Sequence, residues 1–319
     1  LEKVYAPVTL EIHDMKKSLE HVFSILEKIR KSILEMDPSR TDYSVLHSVL
    51  ERGLETTSSL MNSLIRITEN QDNDWVYWME GEYKSPNTSK EKLIISLHAS
   101  LVDVAETLKE QFFKRFDYCL LTSATLKVNN SFSYFVRRIG LDDCDKVITN
   151  EFLSPFLYNE QVAYHKYGGI REISTDPTMI GELVYHLHKT LGKRTMVLFT
   201  SRKTLTDTAN YLKEKPGGRD LPLFAQTRGA SRPGIIKGMH QHPNGILFGT
   251  NSFWEGVDLP GNLLEILILV KLPFDVPSEP LVKSYSEFVS QIGGNSFMEY
   301  TVPECAIRFR QGFGRLIRT

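Results

Sequence analysis

The sequence predicts an α/β protein: a parallel sheet with flanking helices, preceded by a mostly helical region. Three observations point there. From residue 160 onward, apolar runs of strand length alternate with amphipathic stretches of helical spacing, the grammar of parallel β–α–β units. Before residue 92, apolar residues recur at helical spacing between lysines and glutamates. Several strand-like runs also discharge into polar stretches, where open parallel sheets hold their ligands.

Composition bounds the function classes. The chain has 319 residues, 41% hydrophobic and 24% charged, with a net charge of −1. That is a soluble globular profile long enough for two or three domains. It excludes a uniformly basic nucleic-acid coat but permits a local basic groove. Cys119, Cys144 and Cys305 are far apart and form no CxxC pair, so a disulfide scaffold and a zinc site are not expected, and a reducing, cytoplasmic setting is. No apolar run reaches the ~18 residues of a membrane span, and no signal-peptide pattern opens the chain. Leu1 and Thr319 both read as cut ends within a longer protein.

In chain order, Leu19, Val22, Phe23, Leu26, Ile29 and Ile33 predict a first helix, broken at Asp37-Pro38. Leu46, Leu50, Leu54, Leu60, Met61 and Leu64 predict a second, and both stripes read as core. Trp75 to Trp78 is strand-like and Ser85-Pro86-Asn87 a turn; the two tryptophans can stack on bases or fill a small core, the second being preferred. A short strand is expected at Leu93-Ile94-Ile95, a helix from Asp103 to Phe113, and a buried strand at Tyr118 to Leu121. Asp176 before Pro177 reads as a helix cap, closed by Gly192. Strands follow at Thr195 to Phe199, Ile246 to Phe248 and Leu264 to Val270, and Pro303 opens a final helix. His186/His188 and His240/His242 are spaced i,i+2, do not share a helix face, and are not expected to bind metal.

The last nine residues hold Gln311, Gly314, Arg315 and Arg318 at positions i, i+3, i+4 and i+7. On a helix these lie close together, and two guanidinium forks suit phosphate oxygens. A solvated helix end fits the same spacing. The neighbouring strand ends weigh against that: the stretches at 122–125, 200–202, 249–258 and 271–274 all begin where a predicted strand stops.

Four of these stretches resemble, in order, the superfamily 2 helicases of the XPD/DinG group, and are most similar to the bacterial DinG type. They are Leu121-Thr122-Ser123-Ala124-Thr125-Leu126, Phe253-Trp254-Glu255-Gly256-Val257-Asp258, Lys271-Leu272-Pro273-Phe274, and Gln311 through Arg318. The resemblance implies an arch-like helical insertion at 1–92, the closing segment of a first RecA-like domain at 93–130 and a second RecA-like domain at 131–319. It implies that Ser123 and Thr125 couple hydrolysis to strand movement. Ser201, Arg202, Thr250 and Ser252 would touch a nucleic-acid backbone. Glu255, Gly256 and Asp258, with Gly314, would border the nucleotide, and Gln311, Arg315 and Arg318 would face its γ-phosphate across the domain cleft. The implied cofactor is ATP with Mg²⁺; the implied partner is single-stranded or forked DNA, bound by a monomer and traversed 5′→3′.

Two departures qualify this. The chain has no GxxxxGK[ST] loop and no Asp-Glu-Ala-His box, so the main nucleotide-binding wall is expected upstream and the chain alone is expected not to hydrolyse ATP. The iron–sulfur cluster of some relatives is not encoded here. A second reading makes the chain the regulatory, nucleic-acid-binding half of a DinG-type 3′→5′ exonuclease.

Overall fold

A computed structural model describes residues 2–35, 43–69, 73–84, 92–166, 176–227, 229–250, 253, 264–314 and 316. They form two compact units, Leu1–Asp103 and Val104–Thr319.

The first unit pairs two long helices, α1 (Glu2–Leu34) and α2 (Tyr43–Glu69), with a hairpin of β1 (Trp75–Lys84) and β2 (Lys92–Leu101). The hairpin is antiparallel, in register from Trp75 opposite Leu101 to Lys84 opposite Lys92. The strand expected at 93–95 is therefore longer, and its partner is the tryptophan strand. The stripes read as core are only partly so. Leu50, Leu54 and Leu64 are buried, while Val22, Ile29, Leu46 and Leu60 are exposed. One helix facing one helix covers a seam, and these apolar stripes are wider than the seam. Gly53 of α2 faces Leu26 of α1, and Thr57 donates its hydroxyl to the Gly53 carbonyl. Trp78 stacks on His98 across the hairpin and the Arg66 guanidinium lies 3.9 Å over Trp75, so both indoles are engaged within the unit. Asp37-Pro38 and Ser85-Pro86-Asn87 lie outside the described residues.

The second unit is built on a parallel sheet of β3 (Thr195–Leu198), β4 (Leu223–Ala225), β5 (Ile246–Gly249) and β6 (Ile266–Leu269), in the order β4-β5-β3-β6. Alternation along the strands divides the core. Val197, Phe199, Ile246 and Phe248 point to one face, against Ile180 and Val184 of α6 (Pro177–Leu191) and Leu205, Ala209 and Leu212 of α7 (Arg202–Glu214). Met196, Leu198 and Leu247 point to the other, with Phe253, Leu264, and Ile235 and Met239 of α8 (Arg232–Gln241). Each fully buried large side chain contributes about 1.5–3 kcal/mol of apolar transfer energy, so the sheet is the rigid body on which everything else hangs.

Helix boundaries follow local chemistry. Asp176 accepts the Thr178 amide at 2.8 Å with Pro177 next, and Gly192 ends α6 at φ 60°. Ser201 caps α7 by accepting the Thr204 amide, and Ser231 caps α8 through Gly234. Such caps are worth about 1 kcal/mol each. Between the hairpin and the sheet run α3 (Ala105–Gln111), a 3₁₀ turn (Phe113–Arg115), α4 (Ser133–Arg138) and α5 (Tyr158–Gln161). After the sheet come α9 (Pro280–Gln291), a π turn (Phe297–Thr301) and α10 (Val302–Phe313).

Two expectations are corrected. Tyr118 to Leu121 is neither buried nor a strand: Tyr118 and Leu120 are 95% and 90% exposed. A strand needs a ladder, and these residues pair with no strand of the described sheets. Cys119 within it is exposed for the same reason, whereas Cys305 is buried. The final helix also stops early. It ends at Phe313 with Gly314 as its cap, so Gln311 alone of the polar set lies within the described helix.

Candidate functional site

Three of the four stretches that the sequence placed at strand ends do lie at one edge of one sheet. Because β3, β5 and β6 are parallel and in register, Leu198, Gly249 and Leu269 end side by side. Thr200 to Arg202, Thr250 and Lys271 to Phe274 issue from that edge. The Ser123 turn does not belong to this sheet.

At the end of β3, Ser201 is half-buried and its oxygen is engaged by the Thr204 amide, while Arg202 is exposed. The cap fixes the first turn of α7, and the hydroxyl hydrogen of Ser201 stays available to an acceptor. At the end of β5, Thr250 is 6% exposed, and its amide and hydroxyl both donate to Oε1 of Gln226 at 2.9 Å. The Thr250 hydroxyl hydrogen is thus directed inside the protein, to Gln226. Gln226 follows β4 at the same edge. The sequence reading missed it because the strand before it is only three residues long.

Gly249 has a steric reason. A Cβ there would lie 2.6 Å from Cβ of Phe253, so glycine lets Phe253 fold back onto the strand end, where it is fully buried. The Arg232 guanidinium stands 5.7 Å from the Phe253 ring, a second residue the sequence reading passed over. Leu316 packs against the cluster that contains Phe253 and Leu198. Ser252, Glu255, Gly256, Asp258, Arg315 and Arg318 lie outside the described residues.

Gln311, in the last turn of α10, has its Oε1 buried and unpartnered among the described residues. An orphan acceptor in that position costs about 1–3 kcal/mol unless something completes it, which suits a side chain awaiting a ligand or a closing domain. Gly314 has an ordinary helical φ of −62°, so its role is space rather than conformational freedom: a Cβ would come within 3.2 Å of the Arg310 carbonyl.

α10 is tethered along its length. Arg308 pairs with Asp275, directly after the Lys271–Phe274 stretch. Glu304 accepts the Tyr134 hydroxyl, and burial together with that carboxylate pushes the Tyr134 phenol far up. Burial also pushes Tyr300 up to about 12. Arg138 lies 4.0 Å over the Tyr285 ring in the same cluster. Arg308 is therefore neutralised locally by Asp275. At the Ser123 turn, the Ser123 and Thr125 hydroxyls lie 3.3 Å apart, and the Thr125 amide donates to Ser123 Oγ.

No group of His, Cys, Asp and Glu suited to a metal ion occurs among the described residues. His186 pairs with Glu182, and His188 is buried. No helix among the described residues is long and apolar enough to cross a membrane.

A parallel sheet with Ser201, Arg202 and Thr250 at its carboxyl edge, followed by a helix whose last turn carries Gln311, is accompanied by a family match: residues 184–319 match the helicase C-terminal domain family. Over most of its length the chain is similar to proteins named DinG and YoaA. It is 30% identical over 311 residues to a 3′-5′ exonuclease DinG of Bacillus subtilis, covering 96% of this chain and 32% of that protein. It is 31% identical over 271 residues to an ATP-dependent DNA helicase YoaA of Haemophilus influenzae, covering 84% and 40%. With an ATP-dependent DNA helicase DinG of Photobacterium profundum the identity is 32% over 250 residues, covering 76% and 34%. The chain thus spans between a third and two-fifths of the relatives it matches.

Proposed function

We propose that the full-length protein containing this chain is an ATP-dependent helicase or translocase on single-stranded or forked DNA, moving 5′→3′. In this reading residues 131–319 are its second RecA-like domain, 93–130 close the first and 1–92 form the arch-like insertion. The observations that support it most are Ser201, Arg202 and Thr250 side by side at one sheet edge and the orphan acceptor of Gln311 in the last turn of α10. Phosphoryl transfer needs little covalent help and much positive charge on the phosphate oxygens. Arg315 and Arg318, with Gln311, supply it from the second domain when the cleft closes, so hydrolysis is tied to domain motion. Glu255, Gly256 and Asp258 border the nucleotide. Mg²⁺ and the phosphate loop belong to residues outside these 319, as does any iron–sulfur cluster, and the protein acts as a monomer. Exposed Tyr118 and Leu120, and Phe152 and Leu153 at 92% and 90% exposure, suit a segment that completes another domain's sheet.

The test is Arg315→Ala and Arg318→Ala in the full-length protein. Each should lower DNA-stimulated ATP turnover at least tenfold while single-strand affinity changes less than twofold. Unchanged turnover in both removes the γ-phosphate assignment. The identity to the Bacillus subtilis 3′-5′ exonuclease DinG favours one alternative, in which this portion binds nucleic acid and regulates a nuclease. ATP-independent shortening of a single strand from its 3′ end, without strand displacement on a fork, would select it.

A further inference from the structure

We propose that Arg310 is a positioning residue that couples the Ser123–Thr125 turn to the nucleotide-facing end of α10; this rests on the helicase reading above. Nη1 of Arg310 donates to the carbonyl oxygen of Lys127 at 2.6 Å, across 183 residues of sequence. Lys127 is two residues beyond Thr125, and Arg310 immediately precedes Gln311. One hydrogen bond therefore joins the segment that leaves the hydroxyl turn to the helical turn that carries the orphan glutamine.

The Lys127 end of this link is stiff. Its ammonium pairs with Glu151. The next residue, Val128, is buried and exchanges two 2.9 Å backbone hydrogen bonds with Ser131 around Asn129 and Asn130, both at positive φ (49° and 60°). Two consecutive left-handed residues make a tight turn with little freedom, and asparagine tolerates that conformation better than other non-glycine residues. The Ser123 end is open: Ser123 and Ala124 are exposed, and the bonds given for the turn are the local ones between Ser123 and Thr125. The exposed Ser123–Thr125 turn thus stands two residues from an anchored Lys127, whose carbonyl carries the bond to Arg310, so the path from turn to helix is short.

The Arg310 end is where a shift matters. Tyr134–Glu304 and Arg137–Glu299 tie the same segment to α10 and the π turn, two turns or more before Gln311, and set the body of the helix. Arg310 alone among these contacts grips the last turn. An exposed hydrogen bond of this kind adds only about 1 kcal/mol to stability, so its loss leaves the fold intact and removes the link. A coupling device requires two positions of one element, biased by both sites; here the element is the last turn of α10, biased by the hydroxyl turn on one side and the nucleotide on the other.

The experiment uses the full-length protein with Arg310→Ala, Arg310→Lys and, as a control on the same segment, Arg137→Ala. ATP turnover is measured with and without single-stranded DNA, alongside KM for ATP, strand affinity and melting temperature. Arg310→Ala should lower the DNA stimulation of kcat at least fivefold, with KM and strand affinity within twofold and the melting temperature within a few degrees. Arg310→Lys, which keeps a donor for the carbonyl, should restore at least half of the stimulation, and Arg137→Ala should keep it. Full stimulation in Arg310→Ala, or equal losses in Arg310→Ala and Arg137→Ala, overturns the coupling alone. A wild-type protein whose ATP turnover does not respond to DNA overturns the helicase reading and the proposal with it.

Discussion

Replacing Gln226 by alanine tests how the sheet edge holds the Thr250 loop. The side chain's Oε1 accepts both donors of a residue that is only 6% exposed. Alanine removes the acceptor and leaves an amide and a hydroxyl facing each other's desolvated surroundings. A buried donor without a partner costs about 1–3 kcal/mol; with part of the space refilled by water, the pair should cost about 2–4 kcal/mol. The Thr250→Val change deletes the hydroxyl donor but keeps the amide bond, so alone it should cost about 1 kcal/mol. The two losses overlap, because valine in the Gln226→Ala background removes one of the two orphans. The double variant should therefore be more stable than additivity predicts, by about 1 kcal/mol. Urea unfolding of the four proteins gives the energies, and hydrogen exchange at the β5 amides shows whether opening is local. A cost for Gln226→Ala below about 0.5 kcal/mol, or additive losses, would refute the claim that this acceptor organises the loop.

Four further outcomes follow from the geometry. Gly249→Ala places a methyl on Phe253 and should cost about 1–3 kcal/mol, with Phe253 displaced in a crystal structure of the variant. Asp275→Asn should weaken the hold on α10 by about 1–2 kcal/mol, since Asp275 is 12% exposed beside Arg308; thermal melting of Asp275→Asn and Arg308→Met together should show non-additive losses. Asp176→Ala should cost about 1 kcal/mol through the lost cap on α6, read by denaturant midpoint. Burial holds the His188 imidazole below its usual range. Its neutral form is therefore favoured in the folded state, so stability is full above the unfolded value of about 6.5 and falls as pH drops below it. His188→Leu should flatten that part of the stability–pH curve, and an unchanged slope would clear His188 of it.

What the sequence disclosed, and what it hid, have physical causes. The sheet was legible because Met196 to Phe199 and Ile246 to Phe248 are continuous apolar runs, which only strands buried on both faces support. Caps at Asp176 and Gly192 were legible because they act through neighbours in sequence. β4 was not, since three half-buried residues carry no period. Tyr118 to Leu121 misled for the opposite reason: an apolar run reports that a segment is to be covered, not by what. The site divides in the same way. Residue types at strand ends announced Ser201, Thr250 and Gln311, yet the partners that decide their roles, Gln226 for Thr250 and Lys127 for the turn preceding Gln311, stand 24 and 183 residues away. Pattern along a chain gives the groups that meet a ligand; only the folded backbone gives the groups that aim them. For Thr250 that difference changes the chemistry. The Thr250 hydroxyl hydrogen and its own amide are both directed to Gln226, so in the proposed helicase reading the hydroxyl has no hydrogen left to offer a phosphate, and Ser201 and Arg202 would be the described residues of this edge that meet a strand.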